Sequence, residues 1–147
     1  MKEDGETRRE PGRRSNLRIS IPLSICVGAT VYFLVVQALG VTIEVWEGIN
    51  TFTNLKWFAA ATAAPALSGF VTGLISGHNG KWFGVVPVLL MHPSDYFQAR
   101  ALAGGDVMVL GFGLFVFFML VMMELALMAG WGGELLRRRI SGEQLRA

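Results

Sequence analysis

The chain has 147 residues, of which 52% are hydrophobic and only 16% charged, whereas a soluble globular domain carries charge on about a quarter. Its net charge is +2, its pI about 9.0 and its mean hydropathy +0.47. The charges crowd to the ends: residues 1–18 hold six of the 13 Lys/Arg and four of the 11 Asp/Glu, and residues 132–147 hold four more basic and two more acidic groups. This excludes an ordinary soluble enzyme, a disordered tail protein and a disulfide-built secreted domain, and leaves an all-α polytopic membrane bundle as the expected fold.

Residues 1–18 are charged and broken by Gly5, Pro11 and Gly12, and are expected to form a disordered basic tail. Arg13-Arg14 before an apolar run has the form of a twin-arginine signal. The run from Ile19 to Leu39 is 21 uncharged residues, longer than the roughly 7–15 of a signal core, so an uncleaved anchor is expected. Trp57 to Ser76 supplies a second span of 20 residues. Between Lys81 and Asp106 only Trp82 to Met91, ten residues, is continuously apolar, which covers about half the bilayer core.

A short or kinked third span over about 81–97 therefore competes with a re-entrant half-helix. A softer form of the span ends near His92 and starts an interfacial helix at Ser94 that stops at Gly104-Gly105. Val107 to Trp131 is a last span of 25 residues interrupted by Glu124. The transmembrane domain is thus expected over 19–133, and 134–147 as a basic tail.

The positive-inside rule chooses between three and four spans. Four spans, about 19–39, 57–76, 81–97 and 107–131, put 11 basic residues on the side of the termini and two, Lys56 and Arg100, on the other. Three spans would push Arg137, Arg138 and Arg139 outside. The expectation is four spans in an inner cell membrane with both termini cytoplasmic. Basic residues at the chain ends, without interleaved aromatics, fit anionic lipid and not nucleic acid.

Apolar helices in lipid associate through close backbone approach and interhelical hydrogen bonds. Gly69, Gly73 and Gly77 repeat at four-residue spacing, with Thr62, Ala66, Thr72 and Ser76 on or beside that face, and Ser20, Ser24 and Gly28 repeat the device in the first span. These two faces are expected to meet each other or a partner. Pro22 falls near a helix start, where it needs no explanation, whereas Pro65 and Pro87 should kink their spans. Gly77-His78-Asn79-Gly80-Lys81 is a tight turn, followed by Gly84, and the chain finishes Gly130-Trp131-Gly132-Gly133 before Arg137. In these features residues 19–139 resemble the small four-span prokaryotic integral membrane proteins of unknown function, a resemblance that implies fold and inner-membrane location but no chemistry.

Glu124 is the sharpest candidate for chemistry, because an ionisable group inside a span is costly and a functional candidate by default. Gly113 on its helix face should leave a gap above it, and Thr72 and Ser76 should lie at similar depth. Together the three form a candidate intramembrane polar site, either a proton or cation site or a clasp between helices. Glu44, Glu47, His92, Asp95 and Asp106 share the opposite side, where a solvated acidic rim is preferred to a divalent-cation site because no ligand spacing is present.

Cys26 is expected to be a small buried hydrophobe, and Trp46, Trp57, Trp82 and Trp131 to form an aromatic belt. Met119, Met122, Met123 and Met128 read as packing, since copper sites also recruit His or Cys. Gly111 and Gly113 lack the preceding strand of a nucleotide fingerprint. No catalytic constellation, metal site or cofactor is expected. The function expected is a non-enzymatic accessory or structural subunit acting through glycine-lined helix contacts, in a homo-oligomer or a larger membrane complex. The alternative is a minimal oligomeric transporter or channel using Glu124.

Overall fold

The computed structural model describes residues 13–104 and 108–141, with side chains from 21 onward. They form six helices: α1 Arg13–Leu39, α2 Ile49–Thr53, α3 Leu55–Ser76, α4 Gly80–Phe83, α5 Val86–Leu102 and α6 Phe112–Ile140. Three of them, in Ile21–Leu39, Leu55–Ser76 and Phe112–Ile140, are long and apolar enough to cross a bilayer, which suggests a membrane protein.

α3 is the centre of the bundle and packs against both α1 and α6. It starts on an Asn54 cap, whose side chain accepts from Lys56 N and Trp57 N, and ends on Gly77 at φ 62°. That left-handed cap suits glycine, and Asn79 at φ 56° completes the turn. α1 runs antiparallel to α3: Thr72 Oγ1 lies 3.4 Å from Ser24 O, and a Cβ on Gly28 would meet Ser68 and Thr72.

α3 and α6 instead run parallel. The Trp57 and Phe118 rings, near the two helix starts, are 5.2 Å apart, and Arg137 Nη1 donates to Leu74 O at 3.3 Å near the two ends. Two parallel neighbours require the chain between them to travel the height of the bundle. α4 and α5 make that return. Gly80 N donates to Glu134 Oε2 at the α6 C-terminal end, and His92 stacks on Phe115 at the N-terminal end, 4.9 Å between centroids. From Gly80 to Leu102 the chain breaks only at Gly84-Val85, both right-handed. Its 23 residues reach about 34 Å at helical rise.

Several expectations change here. Residues 13–18 belong to α1 and 134–140 to α6, so both helices run past the apolar runs that define them in sequence. Pro22 therefore sits within α1 and not near its start. Pro87 occupies the first turn of α5, where its missing N–H costs nothing. Ser94 caps no helix, because α5 runs through it unbroken, and its Oγ accepts from Gln98 Nε2. Cys26 is exposed on α1, not buried.

The end of the bundle away from Arg137 is closed by two loops. Leu110 N donates to Glu44 O at 2.8 Å and Trp46 N to Met108 O at 2.9 Å, around a bridge between Val45 and Val109. Trp57, 3% exposed, donates from Nε1 to Ile43 O at 2.9 Å. It is part of the core and not of an aromatic belt. Tyr32, Ile43, Leu110 and Met122 are buried around it.

Candidate functional site

The small residues do meet, but largely along a seam that the sequence pattern alone does not reveal. A Cβ added at Gly69 would stand 2.8 Å from Ala126 Cα, one at Gly73 2.9 Å from Gly130 Cα, and one at Gly133 2.8 Å from Leu74 N. α3 and α6 thus approach to backbone contact, and Gly80 and Gly84 of the return segment reach the same stretch of α6. Gly28 lies against Thr72 and Pro87, so the first-span ladder is also used within the chain. Ser24 is buried and donates to Ile21 O. Gly77 serves as a helix cap against the Arg137 guanidinium. Gly113 meets nothing within 4 Å, and the Ser20 side chain lies outside the described residues.

At the Arg137 end a polar lock holds the seam shut. Glu134, 6% exposed, accepts from Gly80 N at 2.7 Å and pairs with Arg138. Arg137 donates to the carbonyls of Leu74 and Ile75, which the last turn of α3 leaves without helical partners. A cation there also opposes the negative end of the helix dipole. The glycine-rich turn and the glycine–arginine tail are therefore two halves of one contact. Glu134 was hidden in the sequence because it sits in what reads as a tail.

Glu124, Thr72 and Ser76 are not brought together. Thr72 and Ser76 are buried, and their hydroxyls donate to Ser68 O and Gly73 O. Glu124 is exposed on the opposite face of α6 from the buried Met122, Ala126 and Gly130. Its neighbours there are Phe117, Leu120, Val121, Met128 and Trp131, all exposed. Gly113 is on this open side as well and frames no enclosed gap.

The acidic rim also changes character. Glu44 and His92 are 0% exposed, with Glu44 Oε1 2.8 Å from His92 Nδ1. The approach is not aligned as a hydrogen bond. Both oxygens of Glu44 and both ring nitrogens of His92 have no hydrogen-bond partner among the described residues. Burying such groups without full partnering is costly, so this is a sealed pair and not a solvated rim. The loop bond from Leu110 holds Glu44, and Phe115 holds the imidazole plane. Asp95, one turn along α5, is half-buried, while Asp106 lies outside the described residues. The signal in the sequence was the setting of Glu44 between Val41, Ile43, Val45 and Trp46, too apolar for a solvated loop. Among the described residues no three His, Cys, Asp or Glu side chains gather as metal ligands.

The fold and these sites define an all-helical chain with three helices long enough to cross a bilayer. In comparison with known proteins, no family model, no curated protein and no solved structure matches the chain.

Proposed function

We propose that the chain is a non-enzymatic accessory subunit of a membrane complex, and that it docks a partner's transmembrane helix on the outer face of α6 around Glu124. The single observation that carries this is the orientation of Glu124. A charged side chain near the middle of a span costs about 3 kcal/mol on insertion scales, yet Glu124 faces away from its own bundle, in an exposed apolar stripe. No Lys or Arg lies between residues 112 and 136 of its own helix, or in Ile21–Leu39. A second copy would set carboxyl against carboxyl. The complementary occupant is a foreign helix that presents a Lys, Arg or amide donor at this depth. Because the glycine seam is consumed inside the chain, the partner contact rests on this face and not on the glycines. The transport alternative loses its polar interior, since Thr72 and Ser76 are turned elsewhere.

The same reading takes α4–α5 as a third crossing, ending near His92, with the outer half of α5 at the interface. The parallel packing of α3 and α6 supports it. Both termini then share the side rich in Lys and Arg, which the positive-inside rule assigns to the cytoplasm of an inner membrane.

Native mass spectrometry of the tagged chain, extracted from its own membrane in mild detergent, tests the proposal. A heteromer of fixed stoichiometry that is lost in Glu124→Leu and kept in Met128→Leu is expected. A monomer or homo-oligomer in the wild type, or a complex indifferent to Glu124→Leu, overturns it.

A further inference from the structure

Beside the buried Glu44–His92 pair lies a cavity of about 510 Å³, within the range of small-molecule sites. Its lining comes from the end of α1, the loop 40–45 and the outer half of α5. The polar groups are Glu44, Asp95, Gln37, Gln98 and Thr42, and the rest of the wall is aliphatic. No basic side chain stands among the described residues that line it.

From this we infer that the cavity is a binding site for an organic monocation: an ammonium group carried on a small apolar body. Three features of the lining converge on that class. Glu44 is 0% exposed and lines the cavity, and neither of its oxygens has a hydrogen-bond partner among the described residues. Asp95, on the same cavity, has no ion pair among the described residues. A cation entering the cavity therefore meets the half-buried Asp95 carboxylate, while the sealed Glu44 stands behind the wall out of direct contact.

The aliphatic wall then selects against a bare metal ion. Ca²⁺ or Mg²⁺ needs about six or more oxygens arranged around it, and here the oxygens share their surface with Val36, Val41 and Leu102. An amine with a hydrocarbon body covers both kinds of surface at once. A carboxylate or phosphate placed inside the cavity finds no cation among these side chains, so a headgroup ammonium enters with its phosphate left outside. The ammonium can come from a free amine or from an aminophospholipid headgroup, and the two sources separate by experiment.

The full chain in uncharged maltoside micelles is titrated calorimetrically with benzylammonium, and with benzyl alcohol as its uncharged counterpart. Saturable binding of one benzylammonium, with none of the alcohol, is the expected result. Asp95→Asn should weaken it about tenfold. Ala99→Leu, which narrows the cavity without touching a charge, should weaken it as well. Because Glu44→Gln alters a buried pair that helps close the fold, the half-buried Asp95 carries the decisive variant. Absence of saturable heat, equal affinity in Asp95→Asn, equal binding of benzyl alcohol, or displacement by MgCl₂ would each overturn the inference.

Doping the micelles with phosphatidylethanolamine identifies the source. Competition that phosphatidylglycerol does not reproduce assigns the site to the headgroup ammonium, and unchanged affinity assigns it to a free amine. This inference is independent of the Glu124 face, and its failure leaves the docking proposal standing.

Discussion

Gly73→Ala should break the bundle at its closest point. The added Cβ would stand 2.9 Å from Gly130 Cα and nearer still to the Gly130 carbonyl oxygen, and neither is the end of a flexible side chain. α6 must retreat by at least about 0.5 Å before that contact becomes tolerable. A retreat there also stretches the bond from Gly80 N to Glu134, since both lie within two turns of Gly130 or beside it. Overpacking of this kind costs about 1–3 kcal/mol, and straining a charged hydrogen bond costs about 1 kcal/mol more. The better helix propensity of alanine returns up to about 1 kcal/mol. The net loss should be about 2 kcal/mol, which is about 30-fold in the unfolding equilibrium. Gly132→Ala is the matched control, because its Cβ meets nothing within 4 Å, and it should be neutral or slightly stabilising. Unfolding by SDS from mixed micelles, followed through the buried Trp57, reads both. If Gly73→Ala unfolds at the same SDS fraction as Gly132→Ala, the close seam between α3 and α6 does not exist as described.

Glu134→Ala should destabilise the same transition by about 2 kcal/mol, through the unpaired Gly80 N–H and the freed Arg138. Glu134→Gln, which keeps an acceptor for Gly80, should recover at least half of that, and equal losses would deny the Gly80 bond its role. Trp57→Phe removes the donor to Ile43 O and should cost about 1 kcal/mol, read by thermal loss of near-UV circular dichroism. No change would mean that the loop is not pinned there. In a Cys26→Ala background, Asn79→Cys and Gln98→Cys should react with an impermeant maleimide from opposite sides of sealed vesicles. Labelling from one side would remove the third crossing.

Much of the fold could be read from the chain because hydropathy acts over long runs. The three long apolar helices and the left-handed turn around Gly77 and Asn79 each follow from local composition or backbone chemistry. Helix ends were less legible. α6 continues through Gly132 and Gly133 to Ile140 because Gly133 packs against α3 and Glu134 and Arg137 find partners there, whereas by propensity alone the glycines read as a stop.

Pairing was the hardest to foresee. The spacing of Gly69 and Gly73 announces a close contact but says nothing of its partner, and the partner is α6, through Ala126 and Gly130, whose own small residues are interrupted by Trp131 and Met128. The grouping of the candidate polar residues depends on pairing in the same way. Glu124, Thr72 and Ser76 share a depth in a linear count, but helix rotation turns Glu124 outward and the two hydroxyls inward. Glu44 and His92 are 48 residues apart in sequence, and only the folding of the 40–45 loop into the bundle end joins them.

The most direct test of the docking face is site-specific photo-crosslinking in the native membrane, with a photoreactive side chain placed at Val121 or Met128 beside Glu124, and at Leu23 or Leu34 on the exposed side of α1. Adducts of one defined foreign polypeptide from the α6 positions, absent from the α1 positions and lost on Glu124→Leu, are predicted. Lipid adducts alone, self-crosslinks, or the same adducts from both helices would contradict a partner helix seated at Glu124.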